Sequence, residues 1–359
     1  MKKLILSALA IILVSLALLQ VRDYIDSGDD SEAGTLTIYN WGEYIDPELI
    51  TQFEEETGVK VIYETFDSNE ALLTKLKNSS TAYDIVVPSD YTIKKMAELN
   101  LLQEVDKSKL SNLAKINPKL MNLSFDPENK YSIPYFWGTL GIVYNTSMLE
   151  EDQKFENWND LWGQDLENDI LLVDGAREVL GLALQSEGKS LNETDEIALK
   201  LAKEKLELMR KNIKAINNDE MIPLMANGEA KVAVTFSGSA AEMMEANEDL
   251  AYSIPKEGSN LWFDNMAIPK VSKNPEAAHK FIDFMLRPEN AAKNAEFVGY
   301  ATPVLDAYEI LGEEITSDEQ FYPTDETMEK LEVYKSLDQK VTQLQNDLLL
   351  EFKINLNRG

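Results

Sequence analysis

The chain has 359 residues, 44% of them hydrophobic, enough for two ordinary domains with a core in each. Its 63 acidic and 34 basic residues leave a formal charge of -29, which repels nucleic acid and draws cations into any acidic cleft. Without cysteine there are no disulfides, thiolate metal sites or cysteine nucleophiles, and one histidine, His279, cannot by itself supply a zinc site or a Ser-His-Asp centre.

After Lys2 and Lys3 the run LILSALAIILVSLALLQV, Leu4 to Val21, is apolar and about as long as a helix that just spans a bilayer. The lysines put its start on the cytoplasmic side. Small-x-small triplets such as Ala8-Leu9-Ala10 lie inside the run instead of after it, and with no cysteine there is no lipidated amino terminus. The segment reads as an uncleaved membrane anchor with a short acidic linker to about Gly34; cleavage and secretion are the alternative.

From Thr35 strands alternate with helices. TLTIYN reads as a strand, and DPELITQFEEETG as a helix capped by Asp46, opened by Pro47 and stopped by Gly58. VKVIYETF is a strand, SNEALLTKLKNS a helix and YDIVVPS an apolar strand, the pattern of a mostly parallel sheet covered on both faces. YSIPYFWGTLGIVYN, interrupted by Pro134, Gly138 and Gly141, reads as a crossover with hinge character. The alternation then recurs through DILLVDG, AREVLGLALQSEG, a charged helix near Asp195 to Lys211, IKAIN, EMIPLMANGEA, KVAVTFSG and SAAEMMEAN, a second α/β domain. LWFDNMAIP is a second crossing, followed by helical NPEAAHKFIDFMLRPENAAKNAEFVG. Residues 1–34 are thus leader and linker, 35–140 with 263–307 form one lobe, and 141–262 with 308–359 form the other, with a cleft between them.

In open α/β sheets binding residues stand beyond the carboxyl ends of strands. Those ends are aromatic and acidic here: Trp41, Glu43 and Tyr44 after the first strand, Ser89, Asp90 and Tyr91 after the third, Asp174 and Glu178 in DGAREV, Phe236 after VAVT, Trp262 and Asp264 in the second crossing, and Tyr300 in FVGYATP. Positions i and i+2 of an extended segment share a face, so Trp262 and Asp264 stand side by side. Aromatic faces attract ammonium groups and cover methylenes, and carboxylates fix where each ammonium stops. A sugar would ask for more mixed donors and acceptors. The ligand that suits this set is an aliphatic polycation. Structural readings stand beside these: a core tryptophan next to a turn-capping aspartate for Trp262 and Asp264, a helix-start carboxylate for Glu178, loop aromatics for Trp41 and Tyr44, and a helix opening at Tyr91. Trp158 and Trp162, at i and i+4, read as packing residues, and His279 as a surface or core-edge residue.

The motifs IYNWGEYIDPELITQFEEETGVKVIYETF, YDIVVPSDY, YSIPYFWGTLGIVYN, DGAREV, LWFDNMAIP and GYATP, in this order, resemble the spermidine/putrescine-binding proteins of bacterial ABC importers, in the version from Gram-positive bacteria whose leader acts as the tether. The resemblance implies a two-lobed periplasmic-binding-protein-like fold of type II, a polyamine ligand, a membrane permease as partner, a monomer, and no cofactor or enzymatic activity. It implies aromatic walls from Trp41, Tyr44, Tyr91, Phe236, Trp262 and Tyr300, ammonium anchors from Glu43, Glu178 and Asp264, and a polar contact from Ser89. The family pattern has a carboxylate where this chain has Gly175, with Asp174 just before it, and a tryptophan where this chain has Phe236. Two further readings compete: a carbohydrate-active hydrolase using a carboxylate pair such as Glu43 and Glu178, for which the sequence offers no reason to hold one carboxylate protonated, and a surface adhesin with a vestigial cleft.

Overall fold

A computed structural model describes residues 34–78, 81–150 and 153–356; the expected anchor at Leu4–Val21 and its linker up to residue 33 lie outside them. The first strand, β1 (Thr35–Trp41), leads into helix α1 (Pro47–Thr57), whose start is capped by the Asp46 carboxylate on the Glu48 amide and whose end is turned by Gly58 at φ 71°. Strand β2 (Lys60–Phe66), α2 (Asn69–Asn78), the two-residue β3 (Ile85–Val86) and α3 (Asp90–Glu98) complete the first alternation. The long β4 (Ser132–Asn145) leads to β5 (Ile170–Val173), α4 (Ala176–Gln185), α5 (Glu196–Leu208), β6 (Ile213–Asn217), α6 (Met221–Ala226), β7 (Val232–Phe236), α7 (Ser237–Ala246) and β8 (Leu250–Ser253). Strand β9 (Leu261–Ala267) precedes α8 (Pro275–Met285) and α9 (Pro288–Val298), a pair that the sequence pattern ran together and that Pro288 separates. The expectation of a mixed α/β fold holds.

The strands follow the order β2-β1-β3-β9-β4-β7-β5-β6, with β8 also on β4. Pairings of β1 with β2 and β3, and of β5 with β6 and β7, are parallel. The antiparallel pairings all include β4 or β9. Ser132–Thr139 of β4 lies along β9, whereas Leu140–Asn145 lies between β7 and β8, so this one strand changes partners midway.

The cores divide in the same way. One is built from the second half of β4, β5, β7, α4 and α5, closed by Leu348, Leu349 and Phe352 of the final helix Gln339–Leu356. Two others lie on opposite faces of the β1-β3-β9 sheet, one around Phe53, Phe281 and Phe284, the other around Tyr39, Tyr83 and Phe263. Tyr322, Met328, Leu331 and Val333 pack on this last core, although they come late in the chain. Trp158 is fully buried with its indole N–H donated to the Gly258 carbonyl, and His279 accepts the Asp106 amide at the edge of its core, so both are structural.

Every residue of β4 is buried, and its glycines serve close approach. A Cβ on Gly138 would overlap Trp262 and Ser237; one on Gly141 would overlap the Tyr252 ring and the Ser253 carbonyl. Because backbone is part of the second obstacle, Gly141→Ala should lower stability by about 1–3 kcal/mol, the usual cost of overpacking. Thermal unfolding measures it, and an unchanged midpoint would show that β4 and β8 can part without cost.

Candidate functional site

Strand β9 carries the centre of the site. Phe263 points into the core with Phe125, so Trp262 and Asp264 share the opposite face, as the period of two requires. Both are nearly enclosed, at 9% and 6% exposure. The Asp264 carboxylate accepts the Tyr44 hydroxyl at 2.6 Å and the Ser89 hydroxyl at 2.7 Å. No cation of the described residues pairs with it, and burial pushes its carboxyl up to about 6, against the opposite pull of the two hydroxyl bonds.

Aromatic rings surround this carboxylate edge to face. Tyr300 meets Trp262 at 4.9 Å and Tyr44 at 5.6 Å, and Phe236 meets Trp262 at 6.2 Å. Phe236 ends β7 and Tyr300 lies against Gly238 near the start of α7, where any Cβ would overlap its ring. Rings from both halves of the chain thus converge on β9. The indole N–H groups of Trp262 and Trp41 are buried without an acceptor.

Ser89 and Tyr91 flank the start of α3, and Asn69 of α2 orients both: its amide nitrogen is 3.0 Å from each hydroxyl oxygen, and its Oδ1 accepts the Ser89 amide. Trp41 closes β1 with its ring 4.5 Å from Phe66. Glu43 is exposed, in the left-handed region at φ 51°, and the turn it makes lets the next residue, Tyr44, descend to Asp264.

Glu178, in the first turn of α4, comes from the second α/β alternation and acts on Tyr91. Its carboxylate bends back over Gly175, accepting its own backbone N–H and bonding to the Tyr334 hydroxyl; burial raises its pKa. The helix-start role anticipated from sequence is therefore present, and it depends on residue 175 having no side chain. Asp174 does not join the group: it is exposed, and its carboxylate pairs with Lys353 of the final helix at 2.5 Å.

Sequence reasoning missed Asn69 and Arg177, named the region of Tyr334 and Lys335 without placing a contact there, and named Asp90 without giving it a role. Arg177 lies over the Tyr334 ring at 3.9 Å and donates to the Lys335 carbonyl and to Asn192 Oδ1, both at 2.8 Å, which holds Tyr334 against Glu178. Asp90, 1% exposed, accepts the amides of Tyr91 and of Phe263 on β9. Its carboxyl is pushed up to about 8 by burial. The premise that nothing here would hold a carboxylate protonated is thus corrected: burial does so at Asp90, whereas at Asp264 it raises the carboxyl only to about 6. The paired carboxylates suspected of hydrolysis are differently placed, Glu43 in solvent and Glu178 on its own helix. Among the described residues no three His, Asp or Glu side chains are grouped to hold a metal ion.

Residues 48–324 match the family model described as bacterial extracellular solute-binding protein. The spermidine/putrescine-binding periplasmic protein of Salmonella typhimurium is 42% identical over 301 residues, 84% of this chain and 86% of that protein. Among solved structures, the spermidine/putrescine ABC transporter substrate-binding protein PotD of Streptococcus pneumoniae is 55% identical, with a TM-score of 0.84 over 90% of this chain and 99% of that one. A protein of Listeria monocytogenes described as a candidate spermidine/putrescine ABC transporter is 60% identical, with a TM-score of 0.83 over 89% and 99%. These relatives are transport proteins, the type II binding-protein fold expected from the motifs is theirs, and the chain belongs to the bacterial extracellular solute-binding protein family.

Proposed function

We propose that this chain is an extracytoplasmic polyamine receptor that captures spermidine or putrescine between its lobes and hands it to an ABC permease, without chemical change to the ligand. The observation that carries the reading is Asp264: a carboxylate walled by Trp262, Tyr44 and Tyr300, supplied with hydroxyl donors and with no cation of its own. An ammonium brought there gains a charge-assisted bond in a medium where charges are weakly screened, and the methylenes beside it lie on aromatic faces. The names of the relatives point to the same ligands. None points to a hydrolase or an adhesin.

In this reading Trp41, Glu43, Tyr44, Ser89 and Tyr91 act from the lobe of residues 35–140 and 263–307, to which Tyr300 also belongs. Phe236 and Glu178 act from the lobe of residues 141–262 and 308–359, and the hinge region at β9 supplies Trp262 and Asp264. Closure about β4 and β9 removes water and strengthens each contact, and the loaded, closed monomer docks on the permease. Asp174, held by Lys353, takes no part. The apolar run Leu4–Val21 tethers the receptor to the membrane.

Calorimetric titration of the full-length chain in neutral detergent, with spermidine and then putrescine at two salt concentrations, tests the proposal. Saturable one-to-one binding that weakens with salt is expected; no heat with either ligand overturns it. Asp264→Asn should cost about 2–5 kcal/mol of affinity, because an ammonium is then buried without its partner. The same substitution should stabilise the ligand-free protein. Burial lifts the folded pKa of Asp264 to about 6, above the unfolded value of about 4, so ionisation opposes folding. The penalty is absent in acid, grows as pH rises between these values and is complete above about 6. Asp264→Asn should therefore raise the ligand-free melting temperature at pH 8 and leave it unchanged at pH 4. Loss of stability at pH 8 would mean that the carboxylate is paired after all.

A further inference from the structure

Asp90 is the most enclosed carboxylate near the site, and the polyamine reading gives it nothing to do. It lies between Ser89 and Tyr91 in sequence, at the first position of α3, and its second oxygen reaches the Phe263 amide between Trp262 and Asp264. Helix-start carboxylates ordinarily face water and stay ionised. This one is 1% exposed, with no ion pair among the described residues.

The charged and titratable groups around it come from its own helix and from the elements packed nearby. Asp264 on β9 opposes its charge, and the Arg177 guanidinium on α4 favours it. Tyr91 on its own helix and Tyr334 on the late segment both feel its field. Glu70, in the first turn of α2, acts on its neighbours Tyr91 and Glu178. Lys94, one turn along α3, shares a pocket of about 220 Å³ with Tyr334 and Lys335 and forms no ion pair with Asp90. The one guanidinium that acts on Asp90 is committed to the Lys335 carbonyl, Asn192 and the Tyr334 ring.

We propose that Asp90 is a positioning residue of polycation capture, a buried counter-charge behind Ser89 that holds a proton in the empty site and releases it to solvent when the ligand's positive charge arrives. The inference rests on the polyamine reading. The exchange balances in charge: one proton leaves as one ammonium is neutralised, and no bond other than the carboxyl O–H is broken. Its physical basis is the low dielectric of the site, where an added cation lowers the cost of ionising a nearby carboxyl. Burial has already raised that cost for Asp90, and the two backbone N–H bonds it accepts only partly offset it. A carboxylate that merely tied α3 to β9 would accept the same amides and exchange no proton.

Spermidine titration of the full-length protein in buffers of different ionisation enthalpy counts the protons. At pH 7 the wild-type protein should release about one proton per ligand bound, falling toward zero above pH 9, where Asp90 is already ionised. Asp90→Asn should bind about tenfold or more weakly and release correspondingly fewer protons at pH 7, Asp264 supplying the remainder nearer pH 6. A wild-type count of zero at every pH, or an unchanged count in Asp90→Asn, overturns the proposal. Should the variant fail to fold, the wild-type pH profile decides alone. Absence of any spermidine or putrescine binding is a different result: it overturns the receptor reading and this inference together.

Discussion

The pairing of β4 with β9 is the constraint on which the other parts depend. For half its length β4 lies against β9, and beyond Thr139 it lies against β7 and β8, so the backbone that ends one sheet begins the other. The change of partner falls beside Trp262, which pairs with Gly138 in register. Residues of β9 therefore stand where elements of both halves can reach them: Tyr44 and Ser89 from one, Phe236 from the other. A site on a loop could be as acidic, but it could not be gripped from both sides by paired backbone. The absence of Cβ atoms at Gly138 and Gly141 is what allows that grip to be so close.

That position also explains the electrostatics. Asp90, Asp264 and Glu178 all have their ionisation opposed by burial, an arrangement that stabilises nothing in the empty protein. Hydroxyls from Tyr44, Ser89 and Tyr334 and amides of Tyr91 and Phe263 soften the penalty without removing it. A fold selected for stability alone would have no use for such groups. On the proposed reading a receptor has one, since the unfavourable burial would be relieved when the cation arrives, and the relief would add to the preference for the loaded state.

Local chemistry made much of this legible. Asp46, Pro47 and Gly58 marked the ends of α1 because caps and fixed φ values act within a few residues, and alternation set Trp262 beside Asp264 because the strand period is local as well. What could not be read was contact across the chain. Asp90 looks like any carboxylate opening a helix until the Phe263 amide, 173 positions later, encloses it. Asp174 stood beside Glu178 among the candidate contacts, and only the return of the final helix, bringing Lys353, separates them. The glycines of β4 looked like hinge residues, and only the rings of Trp262 and Tyr252 show that they also serve close approach.

Glu178 shows how such contacts shape a ligand preference. A side chain at position 175 would occupy the space its carboxylate now takes, so the glycine and the bent glutamate form one arrangement. Arg177, the next residue, keeps Tyr334 in place to share that carboxylate, and its charge partly neutralises Glu178. Glu178 is thus a tyrosine-bonded carboxylate with a guanidinium acting on it, whereas Asp264, bonded to Tyr44, has no such cation among the described residues. The two ends differ in the depth of their attraction for charge. On the proposed polyamine reading, a ligand held between them would be gripped more strongly at one terminus, and a longer polyamine would differ from a shorter one in whether its second charge reaches Glu178 while the first remains on Asp264.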